Sequence, residues 1–188
     1  MKKILIIALL NIVSLSVFAG CASAIRIDGP YRGRIIDAET KQPMEGVVVL
    51  GVWDRETPTA AGAIHEYYDA TETVTDKNGD FEIKGLGLLV MSNIIPMNVL
   101  IFKAGYEYWG LGPWIGLKKG YRSSETVKWE GDKAIISLRK LTMEERRKNI
   151  PPPPPGRASK EKVILMLKEM DKNLKDLNME PFNETSWR

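Results

Sequence analysis

The stretch Thr75-Asp76-Lys77-Asn78-Gly79-Asp80-Phe81 separates two runs of alternating side chains. Asn and Gly at its centre supply the positive φ angles that tight hairpin turns need. Residues 67–75, before the turn, place three threonines on one face, and residues 80–84, after it, place Phe81 and Ile83 on one face. A two-residue period on both sides of such a turn predicts a β-hairpin.

Outward from this hairpin, short runs of β-branched and aromatic residues alternate with turn signals. The further predicted strands are residues 32–37, 47–53, 98–103, 126–130 and 134–139. Residues 47–53 are apolar on both faces, as in a central strand that is covered on both sides. Residues 55–63 contain a proline and a glycine and are interpreted as a loop. The pattern over residues 31–141 predicts an all-β fold, an antiparallel β-sandwich with one core.

Three motifs in this zone resemble those of the carboxypeptidase regulatory-like family. They are, in chain order, Gly33-Arg34-Ile35-Ile36-Asp37 with Thr40, Pro43-Met44 and Gly46-Val47-Val48-Val49; the hairpin Thr75 to Phe81; and Val99 to Phe102 with Gly105-Tyr106. The resemblance covers roughly residues 31–107 and implies a transthyretin-like (prealbumin-like) β-sandwich. Domains of this family are generally non-catalytic accessories, found beside carboxypeptidase catalytic domains and on bacterial surface proteins. The resemblance therefore implies a protein that is not an enzyme.

The N-terminus has the pattern of an export signal. Lys2 and Lys3 precede a mostly apolar run of 15 residues, 4–18, which is short for a membrane span. The sequence Phe18-Ala19-Gly20-Cys21 then resembles the lipobox of bacterial lipoproteins, with Phe18 where Leu is usual. This implies a signal peptide at residues 1–20, acyl chains such as palmitate on Cys21, and a short tether at residues 21–30. The alternatives are a plain secretory signal with a chance cysteine, or a buried free thiol.

The lipoprotein resemblance also implies a location. Acyl chains on Cys21 would anchor the protein to a membrane of the bacterial cell envelope. Ala22 follows the cysteine, whereas an Asp there commonly keeps lipoproteins in the inner membrane. An outer-membrane location is therefore expected where the host has an outer membrane.

An aromatic segment, Tyr106 to Tyr121, follows the third motif. Its rings alternate with four glycines, and rigid rings on such loops can stack on sugars or grip a partner. The candidate ligand-binding residues are Tyr108, Trp109, Trp114 and Tyr121. The alternative is that these rings fill the rim of the sandwich.

Composition excludes several classes of site. The 188 residues carry a net charge of only +3, which gives no argument for a nucleic-acid partner. One Cys and one His exclude a disulfide framework and a zinc site of several Cys or His ligands. Asp76, Asn78 and Asp80 resemble the start of a calcium loop, but Phe81 stands where that loop needs Gly, so a hairpin is favoured. We expect no catalytic residues, no metal and no cofactor.

The C-terminal third is predicted to be an appendage. Thr142 and Glu145 form a capping-box pattern for a short helix at residues 142–150. Residues 151–158 hold five prolines in a row and are predicted to be a stiff linker. An amphipathic helix is predicted at residues 159–178, before a polar tail at 179–188. Its apolar stripe is Val163, Leu167, Met170, Leu174 and Leu177. The stripe fits either a helix folded back on the sandwich or one that pairs with a partner or a second copy.

These patterns together lead to one functional expectation and one alternative. The expectation is a non-catalytic lipoprotein of the cell envelope whose β-sandwich is a binding or structural module. The alternative is a carbohydrate-binding or surface-adhesion module that uses the aromatic segment. The sequence does not identify which envelope protein or glycan would be bound. It does not identify the oligomeric state either.

Overall fold

The computed structural model describes residues 25–114 and 126–182, in which β-strands form most of the regular structure. The strands are β1 Ile25–Asp28, β2 Tyr31–Asp37, β3 Val48–Thr59, β4 Gly62–Val74, β5 Asp80–Ile83, β6 Gly87–Val90, β7 Asn98–Phe102, β8 Trp109–Pro113, β9 Val127–Glu130 and β10 Lys133–Leu138. The helices are α1 Met143–Lys148 and α2 Ile164–Asp176, with a 3₁₀ turn at Lys160–Lys162 before α2. The predicted signal peptide, Cys21, Tyr121 and the last six residues of the tail lie outside the described residues.

Two four-stranded sheets form a sandwich, which confirms the predicted all-β fold. Sheet 1 has the order β5-β2-β10-β9 and sheet 2 the order β4-β3-β7-β8, while β1 and β6 form a separate two-stranded ribbon. The strand pairs are antiparallel except for β2 and β10, which run parallel from Arg32↔Lys133 to Asp37↔Leu138. The first strand of sheet 1 along the chain therefore pairs with the last.

Alternate side chains of the central strands build the core between the sheets. Ile35, Val49, Trp53, Ile101 and Ile136 belong to it, and each is at most 1% exposed. Because successive side chains of a strand point to opposite faces, the intervening residues of β3 and β7 lie on the outer face of sheet 2.

Helix α2 covers this outer face. Residues Val163, Met166, Leu167 and Met170 form one buried cluster with Val48, Leu50, Val52, Leu100 and Phe102 of sheet 2. The prediction that residues 47–53 are covered on both faces is thereby confirmed. Of the two alternatives for the C-terminal helix, the structure shows the helix folded back on the sandwich, with all five residues of the predicted stripe buried.

Hydrogen bonds fix α2 at both ends. Glu72 of β4 accepts from the free N–H groups of Leu165 (2.7 Å) and Met166 (3.0 Å), and so caps the N-terminus of α2 from the sheet. Towards its other end, the buried Asn173 side-chain oxygen accepts from Arg146 Nε at 3.0 Å and Nη2 at 2.8 Å. The two helices and sheet 2 are therefore one packed unit. The proline linker belongs to it as well, since Pro151 and Pro154 are buried rather than part of a free spacer.

The capping box predicted for α1 is present. The Glu145 N–H donates to Thr142 Oγ1 at 3.3 Å, and the Thr142 N–H donates to Glu145 Oε2 at 2.9 Å. Together with the Arg139 guanidinium, this N–H lowers the pKa of the Glu145 carboxyl to about 2.

A tight turn is present at residues 76–79, but the predicted hairpin is wrong, because β4 before the turn pairs with β3 in sheet 2 and β5 after it pairs with β2 in sheet 1. Asp76 Oδ1 accepts from the N–H groups of Asn78 (2.8 Å) and Asp80 (2.9 Å), and the Gly79 N–H donates to the Asp76 carbonyl at 2.8 Å. The carbonyl of Gly79 in turn accepts from the Ile35 N–H at 2.9 Å, which ties the turn to β2.

Replacing Gly79 with Ala is expected to destabilise the protein more than Gly131→Ala. Both glycines have positive φ, 74° and 63°, so either substitution should cost about 1–2 kcal/mol in backbone strain. At Gly79 the new Cβ would also overlap the Ile35 carbonyl oxygen, whereas at Gly131 nothing lies within 4 Å. Urea unfolding midpoints measure the difference, and equal losses would contradict the close approach of the turn to β2.

Three strands and one hairpin arm differ from the sequence prediction. Residues 55–63 were predicted to be a loop, but β3 continues to Thr59 and pairs with β4 as a long arm. Arg55 forms a bridge with Ile94 on the other side of β3, but beyond Glu56 the strand pairs with β4 alone, a position where Pro58 is tolerated. Strand β1 occupies part of the predicted tether, and β6 and β8 lie in segments where no strand was predicted.

Candidate functional site

The rings of the predicted aromatic segment do not form one platform. Trp109 and Trp114 are buried in the core between the sheets, at 8% and 7% exposure. Tyr108 is half-buried and packs against the cluster under α2. Tyr106 donates from its hydroxyl to Asp37 Oδ2 at 3.2 Å. Neighbouring residues of this segment thus face different layers, which leaves little of either indole to stack on a sugar.

Trp114 is the centre of an aromatic cluster that joins the two sheets. Its ring centroid lies 5.8 Å from Tyr31, 6.0 Å from Phe81 and 5.8 Å from Trp129, at interplanar angles of 75°, 86° and 82°. Edge-to-face contacts of this kind stabilise beyond the area that they bury. The three partners come from β2, β5 and β9 of sheet 1, so Trp114 closes the core between the sheets.

A cleft of about 300 Å³ opens beside this cluster and is the candidate functional site. Its lining includes Arg26, Tyr31, Pro96, Trp114, Trp129 and Asp132. Aromatic edges beside a guanidinium and a carboxylate suit a ligand with an apolar face and polar rim. The sequence analysis identified only Trp114 of this set, because the others lie in the predicted tether, strands and turns.

The charged groups at the cleft have partners within the protein. The Arg26 guanidinium contacts Asp28 at 3.4 Å and donates to the Ile94 carbonyl. Asp132, whose side chain is 75% exposed, accepts from Arg32 at 3.1 Å. The exposed carboxylate is thus held by one surface ion pair, which a ligand could replace at small cost.

Asp28 is the buried polar centre behind the cleft. It is 1% exposed. Its Oδ2 accepts from Trp53 Nε1 at 2.8 Å and the Leu86 N–H at 3.0 Å, and its Oδ1 accepts from the Tyr31 hydroxyl at 2.6 Å. Burial, reinforced by the hydrogen bond and the charge of Asp28, raises the pKa of the Tyr31 phenol. Both oxygens are occupied by protein donors, so Asp28 anchors β1 to the sandwich.

Other polar residues noted in the sequence have structural partners. His65 lies 3.3 Å from Glu56 on the exposed β3–β4 arm. Asp80 pairs with Arg34 and Lys133, each at 2.7 Å, and the hydrogen bond from Arg34 is the main cause that lowers its pKa to about 2. In the described ranges, no group of three or more His, Cys, Asp or Glu is placed to hold a metal ion. No helix in those ranges has the length and apolarity to cross a membrane.

Comparisons with known proteins give one distant neighbour to report. No protein-family model matches the chain, and no curated protein matches it. Among solved structures, it is similar to the pilus adhesin RrgA from Streptococcus pneumoniae at 14% sequence identity and a TM-score of 0.35. The match covers 62% of this chain and 15% of the adhesin. The resemblances to carboxypeptidase regulatory-like domains and to lipoproteins therefore remain predictions.

Proposed function

We propose that this chain is a non-catalytic lipoprotein of the bacterial cell envelope whose β-sandwich is a binding or structural module. The observation that carries the proposal is the start of β1 at Ile25, four residues after Cys21. At about 3.3–3.6 Å per residue, the link between them spans at most roughly 14 Å. Acyl chains on Cys21 would therefore hold the folded domain directly against the membrane surface, and Ala22 favours the outer membrane where one exists.

Changing Cys21→Ser is expected to leave an unprocessed precursor and to abolish labelling by radioactive palmitate. The reason is that the thiol would be the acceptor of the lipid that precedes cleavage. Intact-mass analysis of membrane-extracted protein measures both effects. Ala22→Asp is the matched control, because it should keep the lipid and move the protein to the inner membrane. A wild-type protein with an unmodified thiol would contradict the anchor.

The cleft beside Trp114 supports a second candidate function, the binding of a glycan or an envelope partner. Its aromatic edges and the exposed Asp132 carboxylate are the kind of lining that sugars contact. This version of the adhesion hypothesis uses the cleft residues instead of the whole segment Tyr106 to Tyr121.

A glycan array followed by calorimetric titration tests the second candidate. Asp132→Ala is expected to weaken binding about tenfold, the usual loss for one hydrogen bond to a charged group. Glu82→Ala is the matched control, because Glu82 also pairs with Arg32, at 2.7 Å, but does not line this cleft. Equal effects of the two variants, or no ligand on the array, would contradict glycan binding at the cleft.

A further inference from the structure

The ribbon of β1 and β6 exposes four aliphatic side chains on one face. Ile25 pairs with Val90 and Ile27 with Leu88, and directly opposite residues of an antiparallel pair lie on the same face. Their exposure ranges from 57% for Val90 to 76% for Ile27. We name these four residues the aliphatic ladder. Met91, which follows β6, is 86% exposed as well.

The other face of the ribbon is fixed to the sandwich. Leu89 packs against the core between the sheets, and Asp28 is held there by Trp53 and Leu86. Arg26 lies on the same inner face as these two residues. The ribbon cannot turn its aliphatic face inward without breaking these contacts. The ladder is therefore a permanent feature of the surface.

A contiguous aliphatic face differs from scattered exposed leucines. Single exposed apolar residues are ordinary, but contiguous patches mark sites that contact a partner or a membrane. The ladder alternates with inward residues in strict two-residue period, so its four side chains form one flat surface. A flat apolar surface of this kind fits an apolar partner that is also broad and flat.

The position of the ladder along the chain identifies its occupant. Ile25, the first ladder residue, lies four residues from Cys21, within roughly 14 Å of chain. We propose that the aliphatic ladder lies in the apolar boundary of the phospholipid bilayer that holds the acyl chains of Cys21. This proposal rests on the proposed function, and it adds a second contact that fixes how the domain sits on the membrane.

Depth-dependent fluorescence quenching tests the proposal on the full lipidated chain. Cys21 is the only cysteine and would be acylated, so Leu88→Cys gives one thiol for a nitrobenzoxadiazole dye. The protein is placed in vesicles of phosphatidylethanolamine and phosphatidylglycerol that contain phosphatidylcholine with a nitroxide on its acyl chain. A label at residue 88 should lie about 5–10 Å below the headgroup boundary and be strongly quenched.

The matched control is a label at Lys172→Cys. Lys172 lies on α2, which packs on the outer face of sheet 2, whereas the ribbon packs against the core on its inner face. Its side chain is 61% exposed, so the dye is tolerated there. We expect quenching at residue 88 to exceed that at residue 172 about twofold or more, since only the ladder enters the acyl region. Ile27→Cys is a second ladder position in case Leu88→Cys does not fold.

The outcomes separate this proposal from the anchor. Lipidated protein with equal quenching at residues 88 and 172 would overturn the membrane contact and leave the anchor standing. Disulfide-linked dimers of the unlabelled Leu88→Cys protein, with no preferential quenching of the labelled protein, would also overturn it, because the ladder would then pair with a second copy. An unmodified Cys21, seen as a second dye by intact mass, would contradict the proposed function and this proposal together.

Discussion

A chain that stops after Asn149 is expected to lose cooperative unfolding. The stop removes α2 and uncovers the apolar outer face of sheet 2, including Leu50, Leu100 and Phe102. At least five helix-segment side chains lose their burial, at about 1.5–3 kcal/mol each. That loss is comparable to the whole free energy of unfolding of an ordinary domain, about 5–15 kcal/mol. Circular dichroism and intrinsic fluorescence during urea titration measure it.

A stop after Phe182 is the control, because it keeps all the described residues. If the short chain cannot be purified, Met170→Glu in the full chain tests the same contact, since Met170 is 1% exposed. A sandwich that unfolds cooperatively at an unchanged urea midpoint without α2 would contradict the role of the helix as part of the core.

The second large effect is expected for Asp28→Ala. The substitution leaves the Trp53 Nε1–H, the Leu86 N–H and the Tyr31 hydroxyl without the acceptor that they share. Each buried donor that is left unpaired costs about 1–3 kcal/mol. We expect a total loss of roughly 3 kcal/mol or more and a melting temperature lower by about 10 °C. A thermal melt followed by near-ultraviolet circular dichroism measures it.

Asp28→Asn is the matched control for this prediction. One amide oxygen can accept from Trp53 and Leu86, and the Tyr31 hydroxyl can rotate to accept from the amide nitrogen. The asparagine should therefore lose much less stability than the alanine. Equal losses in both variants would indicate that the charge of Asp28, rather than its acceptor capacity, holds β1 in place.

The fold could be predicted where local pattern and final contacts agree. The strands around Asn78-Gly79 join different sheets instead of pairing as a hairpin, which the sequence did not show. The tight turn itself was predictable because its chemistry is local. The stripe from Val163 to Leu177 was predictable for the same reason. Its docking on sheet 2 was not, because a helix of this period looks the same in sequence whichever apolar surface it meets.

The missed strands have partners far along the chain or an irregular composition. Strand β1 pairs with β6, about 60 residues away, and each has only four residues, too few for a clear period. Strand β8 contains Gly110, Gly112 and Pro113, residues that usually indicate a loop. It becomes a strand because β7 offers it a ladder, and its register is irregular there.

The candidate site was the least predictable part. The sequence shows that aromatic residues cluster between Tyr106 and Tyr121 but not which way each ring faces. Tyr108 and Trp109 are neighbours, yet they pack on opposite sides of sheet 2. The cleft takes most of its lining from other segments, which only the pairing of the sheets brings together.

The parallel pairing of β2 with β10 also determines when the sandwich can be completed. The paired residues Arg32 and Lys133 are about 100 positions apart. Folds dominated by such distant contacts fold slowly, in milliseconds to seconds, because a long loop must close before its contacts stabilise it. In the export that the proposed signal peptide implies, β2 would cross the membrane long before β10. Sheet 1 would then stay open until nearly the whole domain had crossed, and the delay would keep the chain unfolded enough to be transported.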